Sequence, residues 1–206
     1  MAELLGRGAD MRRIVAGLAG VLLSAGAAGA QEVWGGVYAH GISDGLSEGG
    51  FEGGTQFAGG VIGPQLESLR VIGRPSPYAL AAVNTDDGTN YAAVGLSWRV
   101  PLTDSGRVYL RPGLGIAVHD GDVDFPSPYE TGISEAERQR RFRRGEEELD
   151  LGNRVLFEPE MALGYQISER LALEASYLHI SHATIFGDQN PGLTDIGVRA
   201  VYRFGG

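Results

Sequence analysis

The chain has 206 residues, a length that suits one domain, and its net charge of -9 excludes nucleic acid as the main partner, since phosphate neutralisation takes clustered Lys and Arg. There is no cysteine, which excludes disulfides and thiolate chemistry. Glycine is abundant, at 33 residues without a collagen period, and this fits a chain of many strands and turns.

The N-terminus points to export. From Met11 the sequence reads Met-Arg-Arg, then an apolar run from Ile14 to Leu23, then small residues ending Ala28-Gly29-Ala30. A charged region, an apolar region and a small-residue cleavage site predict a secretory signal peptide over residues 1–30. The acidic stretch before Met11 fits this poorly, so Met11 is an alternative start. Beyond residue 30 no stretch approaches the roughly 20 apolar residues of a spanning helix.

Residues 31–206 are expected to form a single β-barrel domain, because the period after Gln31 is two rather than 3.6. Strands are expected at 32–40, 54–61, 78–85 and 91–100, with room for a ninth short strand in 62–76. At 108–118 one face carries Leu110, Leu114 and Ile116, and the other carries Tyr109, Arg111 and Gly113. At 155–167 Phe157, Met161, Leu163 and Tyr165 alternate with Glu158, Glu160 and Gly164. At 171–181 Leu171, Leu173 and Tyr177 oppose Glu174 and Ser176, and the last strand sets Ile196, Val198 and Tyr202 against Arg199 and Arg203.

Three of these strands exceed the about 5–6 residues usual in soluble sheets. A secreted sandwich shares the alternation, but strand length and export favour an all-β, eight-stranded antiparallel transmembrane β-barrel of the outer membrane. Its apolar faces would meet lipid. Glu158, Glu160, Glu174, Arg111, Arg199 and Arg203 would pair inside the lumen, as low dielectric demands. Long segments at 41–50, 120–152 and 182–192 are read as surface loops, and the short ones at 101–106 and 168–170 as periplasmic turns. Within 120–152, Ser134 and Glu137 predict the capping box of a short helix. The arginines from Arg138 to Arg144 are read as a solvated face offset by Glu146, Glu147 and Glu148 rather than as a phosphate site.

His179 and Ser181 share the parity of Leu171, Leu173 and Tyr177, so period two places both on the lipid-facing side near the outer surface. Two polar groups there either mark the headgroup level or form a Ser/His pair. In the second case the imidazole takes the hydroxyl proton as the oxygen attacks an ester.

The run His179-Ile-Ser181-His182-Ala183, with Asn190-Pro-Gly192 and Tyr202-Arg203-Phe204, resembles the PagL family of lipid A 3-O-deacylases, also described as acyloxyacyl hydrolase-like. The likeness extends through 154–160 and more weakly through 78–98, though only the last thirty or so residues are specific. It implies an eight-stranded outer-membrane barrel, a lipid A or lipopolysaccharide substrate reached from outer-membrane lipid, and no cofactor or metal. It implies His179 as general base and Ser181 as nucleophile, supported by His182, Asn190 and Gly192. The family has an Asn where this chain has His182, and an acidic residue where it has Thr194. Asp195, next along, has the opposite parity on a regular strand, and a bulge would be needed to re-aim it. Asp195 is the expected acid of the site and Asp188 the alternative.

Two Gly-x-Ser-x-Gly matches, Gly41–Gly45 and Gly45–Gly49, lie in a Gly-rich loop with no helix to follow, so neither is read as a nucleophile elbow. His40 and His119 stand alone at strand ends, without metal-ligand spacing. The competing functional reading is a non-catalytic barrel, structural or surface-binding, that keeps a vestigial site.

Overall fold

The computed structural model describes residues 31–45, 47, 51–123, 125–182 and 192–204; the signal segment expected at 1–30 lies outside them. In chain order the strands are β1 (Glu32–Ala39), β2 (Thr55–Ile62), β3 (Ser76–Asn84), β4 (Tyr91–Ser97), β5 (Val100–Pro101), β6 (Val108–His119), β7 (Val155–Gln166), β8 (Leu171–Ile180) and β9 (Leu193–Arg203). Each pairs antiparallel with its neighbour, and β1 pairs with β9 from Glu32↔Arg203 to Ala39↔Ile196, which closes the sheet on itself. Closure satisfies the backbone of both edge strands, a requirement for any β-structure surrounded by hydrocarbon.

The two-residue β5 continues β4 along the same partner, β6, so the barrel has eight staves. The break at Trp98 and Arg99 has a local cause. Trp98 lies opposite Pro112, whose carbonyl accepts from the Trp98 N–H at 2.9 Å but whose ring has no N–H to return. Where a ninth strand had room, residues Glu67–Ile72 instead form a short 3-10 helix between β2 and β3.

The alternation read from the sequence becomes an inside and an outside. Val198, Leu114 and Leu173 point outward and are 65%, 56% and 51% exposed, while Tyr109, Arg111, Glu174 and Arg199 point inward and are buried. An apolar belt with a polar, packed interior is the arrangement of small membrane barrels. Small residues make room for large ones inside: a Cβ on Gly164 would overlap the Tyr109 ring.

The buried charges form one alternating chain. Glu160 pairs with Arg199 at 2.9 Å, Arg199 with Glu174 at 2.6 Å, and Glu174 with Arg111 at 2.9 Å. Arg111 then reaches Glu32 at 2.7 Å, and Glu32 reaches Arg203 at 2.6 Å. Tyr109 donates to Glu174 at 2.7 Å and Tyr78 donates to Glu158. Each charge taken out of water thereby meets an opposite charge or a donor, which is the condition for burying it at all.

Helix α1 (Glu135–Glu147) stands in the β6–β7 loop, where the Ser134 side chain caps it by accepting from the Glu137 N–H at 3.2 Å. Arg138, Arg140, Arg141 and Arg144 pair with Glu135, Glu137, Glu130, Glu148 and Asp122. These arginines are spent on neighbouring carboxylates, of which only Glu148 belongs to the expected Glu146–Glu148 run. Removing the central acid of the lumen should be costly: Glu174→Ala leaves Arg111 and Arg199 each short of a buried partner. A loss of about 3–5 kcal/mol is expected, read as a lower urea midpoint for the heat-modifiable folded form in detergent.

Candidate active site

The loop end of the barrel gathers the polar residues singled out by the sequence, but on two sides of the wall. β8 carries His179 on its outward face. Ser181 follows on the same side, continuing the strand through a bridge in which Phe157 donates to the Ser181 carbonyl at 2.7 Å and Ser181 donates back at 3.0 Å. The Tyr177 ring, two residues before His179, lies nearly parallel to the imidazole with centroids 6.3 Å apart, as side chains of one strand face should.

Outward residues elsewhere on β8 are largely exposed, whereas His179 is 4% and Ser181 7% exposed. The pair therefore sits in a covered pocket of the outer wall rather than in open hydrocarbon. Part of the cover comes from the loop after β1, where the Ile42 N–H donates to the Thr194 carbonyl at 2.9 Å.

β9 begins at Leu193, and its register with β8 is regular, with His179↔Thr194 and Leu178↔Asp195 as partners. Thr194 is thus directly across from His179 on the outer face, and His179 Nδ1 lies 2.8 Å from Thr194 Oγ1. The Thr194 hydroxyl is in turn 3.3 Å from Asp44 Oδ2 and 3.1 Å from Ser47 Oγ. Neither Asp44 nor Ser47 was expected in the site. Both lie in the Gly-rich loop whose two serine motifs carry no elbow, and sequence offers no signal for a contact across about 150 positions.

Asp195 does not join this group. No bulge re-aims it, so it keeps its parity and faces the lumen, 1% exposed. There it accepts from Tyr91 at 2.8 Å and meets His40 Nδ1 at 2.7 Å. The expectation that Asp195 orients the His179 imidazole is corrected accordingly: an intact ladder carries it to the opposite side of the sheet from its neighbour Thr194. His182 likewise has inward parity and packs where a Cβ on Gly152 would come within 3.1 Å of its Nε2, away from the outward side of Ser181. Gly192 adopts φ 60 just before β9 and, with Ser47 and Thr194, lines a small cavity at the loop end. Asp188 and Asn190 lie outside the described residues.

The inner network is a second, separate cluster. His40 joins Asp195 on one ring nitrogen and Glu52 on the other, at 2.9 Å, and Glu52 accepts from the Thr89 N–H at 2.6 Å. Burial alone would lower the His40 pKa, but the two carboxylates override it and raise the value to about 9. A folded-state value above the unfolded one means that His40 stabilises the barrel fully below pH ~6.5. That stabilisation is lost as pH rises through about 9. Between these values the wild-type unfolding midpoint should fall, whereas His40→Gln should show a flatter profile; urea titrations of detergent-folded protein at stepped pH would measure this.

The comparisons with known proteins agree with this architecture. The family description "Lipid A 3-O-deacylase (PagL)" matches residues 77–203, a span that runs from within β3 to the end of β9 and holds both site strands. Among solved structures, the crystal structure of the outer membrane enzyme PagL is similar with a TM-score of 0.51 and 12% identity, covering 84% of this chain and 99% of that one. Neisserial surface protein A follows with a TM-score of 0.45 and 10% identity, covering 84% and 96%. No curated protein matches the chain. With more than half of its length matched, and with the closed eight-stranded barrel that the likeness implies, the chain belongs to the lipid A 3-O-deacylase (PagL) family of the outer membrane.

Proposed function

We propose that this barrel is an outer-membrane serine esterase that removes an ester-linked acyl chain from lipid A, with Ser181 as nucleophile and His179 as general base. Family membership supports a lipid A deacylase. The observation that carries the assignment to these residues is the covered His179–Ser181 pair on a wall that is otherwise apolar, with the imidazole tethered through Nδ1 to Thr194. Signal-directed export through residues 1–30 fits the same location.

The tether bears on the chemistry. If Nδ1 carries the proton and donates to Thr194, the Nε2 lone pair is free to face the serine. Residues two apart on one strand face are separated by about 7 Å at the backbone, a span that a histidine and a serine side chain can close. In the acylation step Nε2 takes the Ser181 proton while Oγ bonds to the ester carbonyl carbon. The tetrahedral intermediate then expels the sugar oxygen, which receives the proton from the imidazolium. In the second step a water gives its proton to Nε2 and attacks the acyl-serine, releasing the fatty acid and restoring the hydroxyl.

The position of the pair suits a substrate that never leaves the bilayer. Below it on the same face lie Ile196 and Val198, 45% and 65% exposed, a surface along which an acyl chain can lie. The burial of His179 and Ser181 limits the bulk water that reaches the pair.

Mass spectrometry of lipid A from a Gram-negative host expressing the chain tests the reading directly. One hydroxyacyl group should be missing with wild type and retained with Ser181→Ala and with His179→Ala. A fluorophosphonate probe should label wild type at Ser181. Unchanged lipid A and no labelling, with the heat-modifiable barrel present in the outer membrane, would favour the non-catalytic barrel instead.

A further inference from the structure

We propose that Asp44, in the loop after β1, supplies the charge that orients and polarises His179, acting through the hydroxyl of Thr194. The inference rests on the Ser181/His179 reading above and makes Asp44 and Thr194 positioning residues of that site.

The geometry is a three-member line: His179 Nδ1 to Thr194 Oγ1 at 2.8 Å, then Thr194 Oγ1 to Asp44 Oδ2 at 3.3 Å. A threonine hydroxyl has a single proton, so its direction decides the tautomer of the histidine. If that proton pointed at Nδ1, the imidazole would carry its own proton on Nε2 and would be useless as a base toward Ser181. A carboxylate has only lone pairs to offer, so Asp44 draws the Thr194 proton toward itself. The threonine oxygen then accepts from Nδ1–H, and the Nε2 lone pair is left for the serine. When the imidazole takes the serine proton, the same line brings a negative charge to bear on the new cation.

Asp44 is held in place independently of this line. Its Oδ2 accepts from Tyr177 at 2.6 Å, and its Oδ1 accepts from the Ser47 N–H at 2.9 Å. Tyr177 is a residue of β8 two positions before His179, so the loop is fixed to the strand that carries the base. The loop shape depends on glycine: Gly41 and Gly45 flank the segment with φ of 66 and 85, in the left-handed region. A Cβ on Gly41 would overlap the Glu52 carbonyl oxygen. Asp44 itself is exposed, and the water around it weakens its pull. The line is therefore expected to contribute less than a carboxylate bonded directly to a buried imidazole.

The test uses the folded full-length barrel in detergent with lipid A as substrate, and each variant is first shown to be heat-modifiable. Asp44→Asn keeps the shape and one accepting oxygen, which in the Oδ2 position still serves Tyr177 and Thr194, but it removes the charge and the second acceptor used by the Ser47 N–H. Thr194→Val keeps the volume but breaks the line. Each is expected to lower kcat by about 10- to 100-fold with KM within about twofold of wild type. The double variant should be no slower than the slower single one, because both cut the same line. Thr194→Ser should recover most of what Thr194→Val loses. A kcat for Asp44→Asn within twofold of wild type, or losses that multiply in the double variant, would overturn the proposal while a dead Ser181→Ala leaves the esterase reading intact. Full turnover by Ser181→Ala would overturn both.

Discussion

A sheet closed on itself gives every strand two hydrogen-bonded neighbours, and that removes any freedom to choose which side of the wall a residue faces. In this barrel the pairing of β1 with β9 locks the register around the whole circumference, so parity at one strand is parity at all of them. Two consequences follow. Inward positions must be small or must find partners for their charges, which is why Glu160, Arg199, Glu174, Arg111, Glu32 and Arg203 form a continuous alternating line. Outward positions are apolar unless something covers them, which is what makes His179, Ser181 and Thr194 informative.

The same constraint separates two histidine–carboxylate sites that lie within a few residues of each other in the chain. Thr194 and Asp195 are adjacent in sequence and on opposite sides of the wall. Asp195 serves a structural cluster with Tyr91 and His40, in which a buried histidine between two carboxylates ties β1, β4 and β9 together at the loop end. Thr194 serves the outer group with His179. A single-residue slip of β9 would exchange their roles and turn the strand's apolar face inward, so the core itself guards the site's geometry.

The fold was legible because period two and strand length are local properties. The long apolar faces of β6, β7, β8 and β9 could be read straight off the residues, as could the ion-paired lumen and the helix behind Ser134. The interruption after β4 was not, since it depends on which residue Pro112 happens to face across the ladder. The placement of His179 and Ser181 on one outward face also came from parity alone. The acid did not. Asp195 attracted attention by proximity in sequence, yet the unbroken register sends it inward. Asp44 reaches the site only through a loop that folds back over the wall, a tertiary event with no periodicity to announce it.

The line from Asp44 to His179 also crosses the junction where the first strand meets the last: Asp44 trails β1, and Thr194 opens β9. A chain in transit, with its two ends apart, has His179 on β8 and Ser181 just beyond it, but not yet the loop after β1 that brings Asp44 to Thr194. On the proposed assignment, the site is completed by the same event that seals the cylinder, and an unfinished barrel is a blunt one.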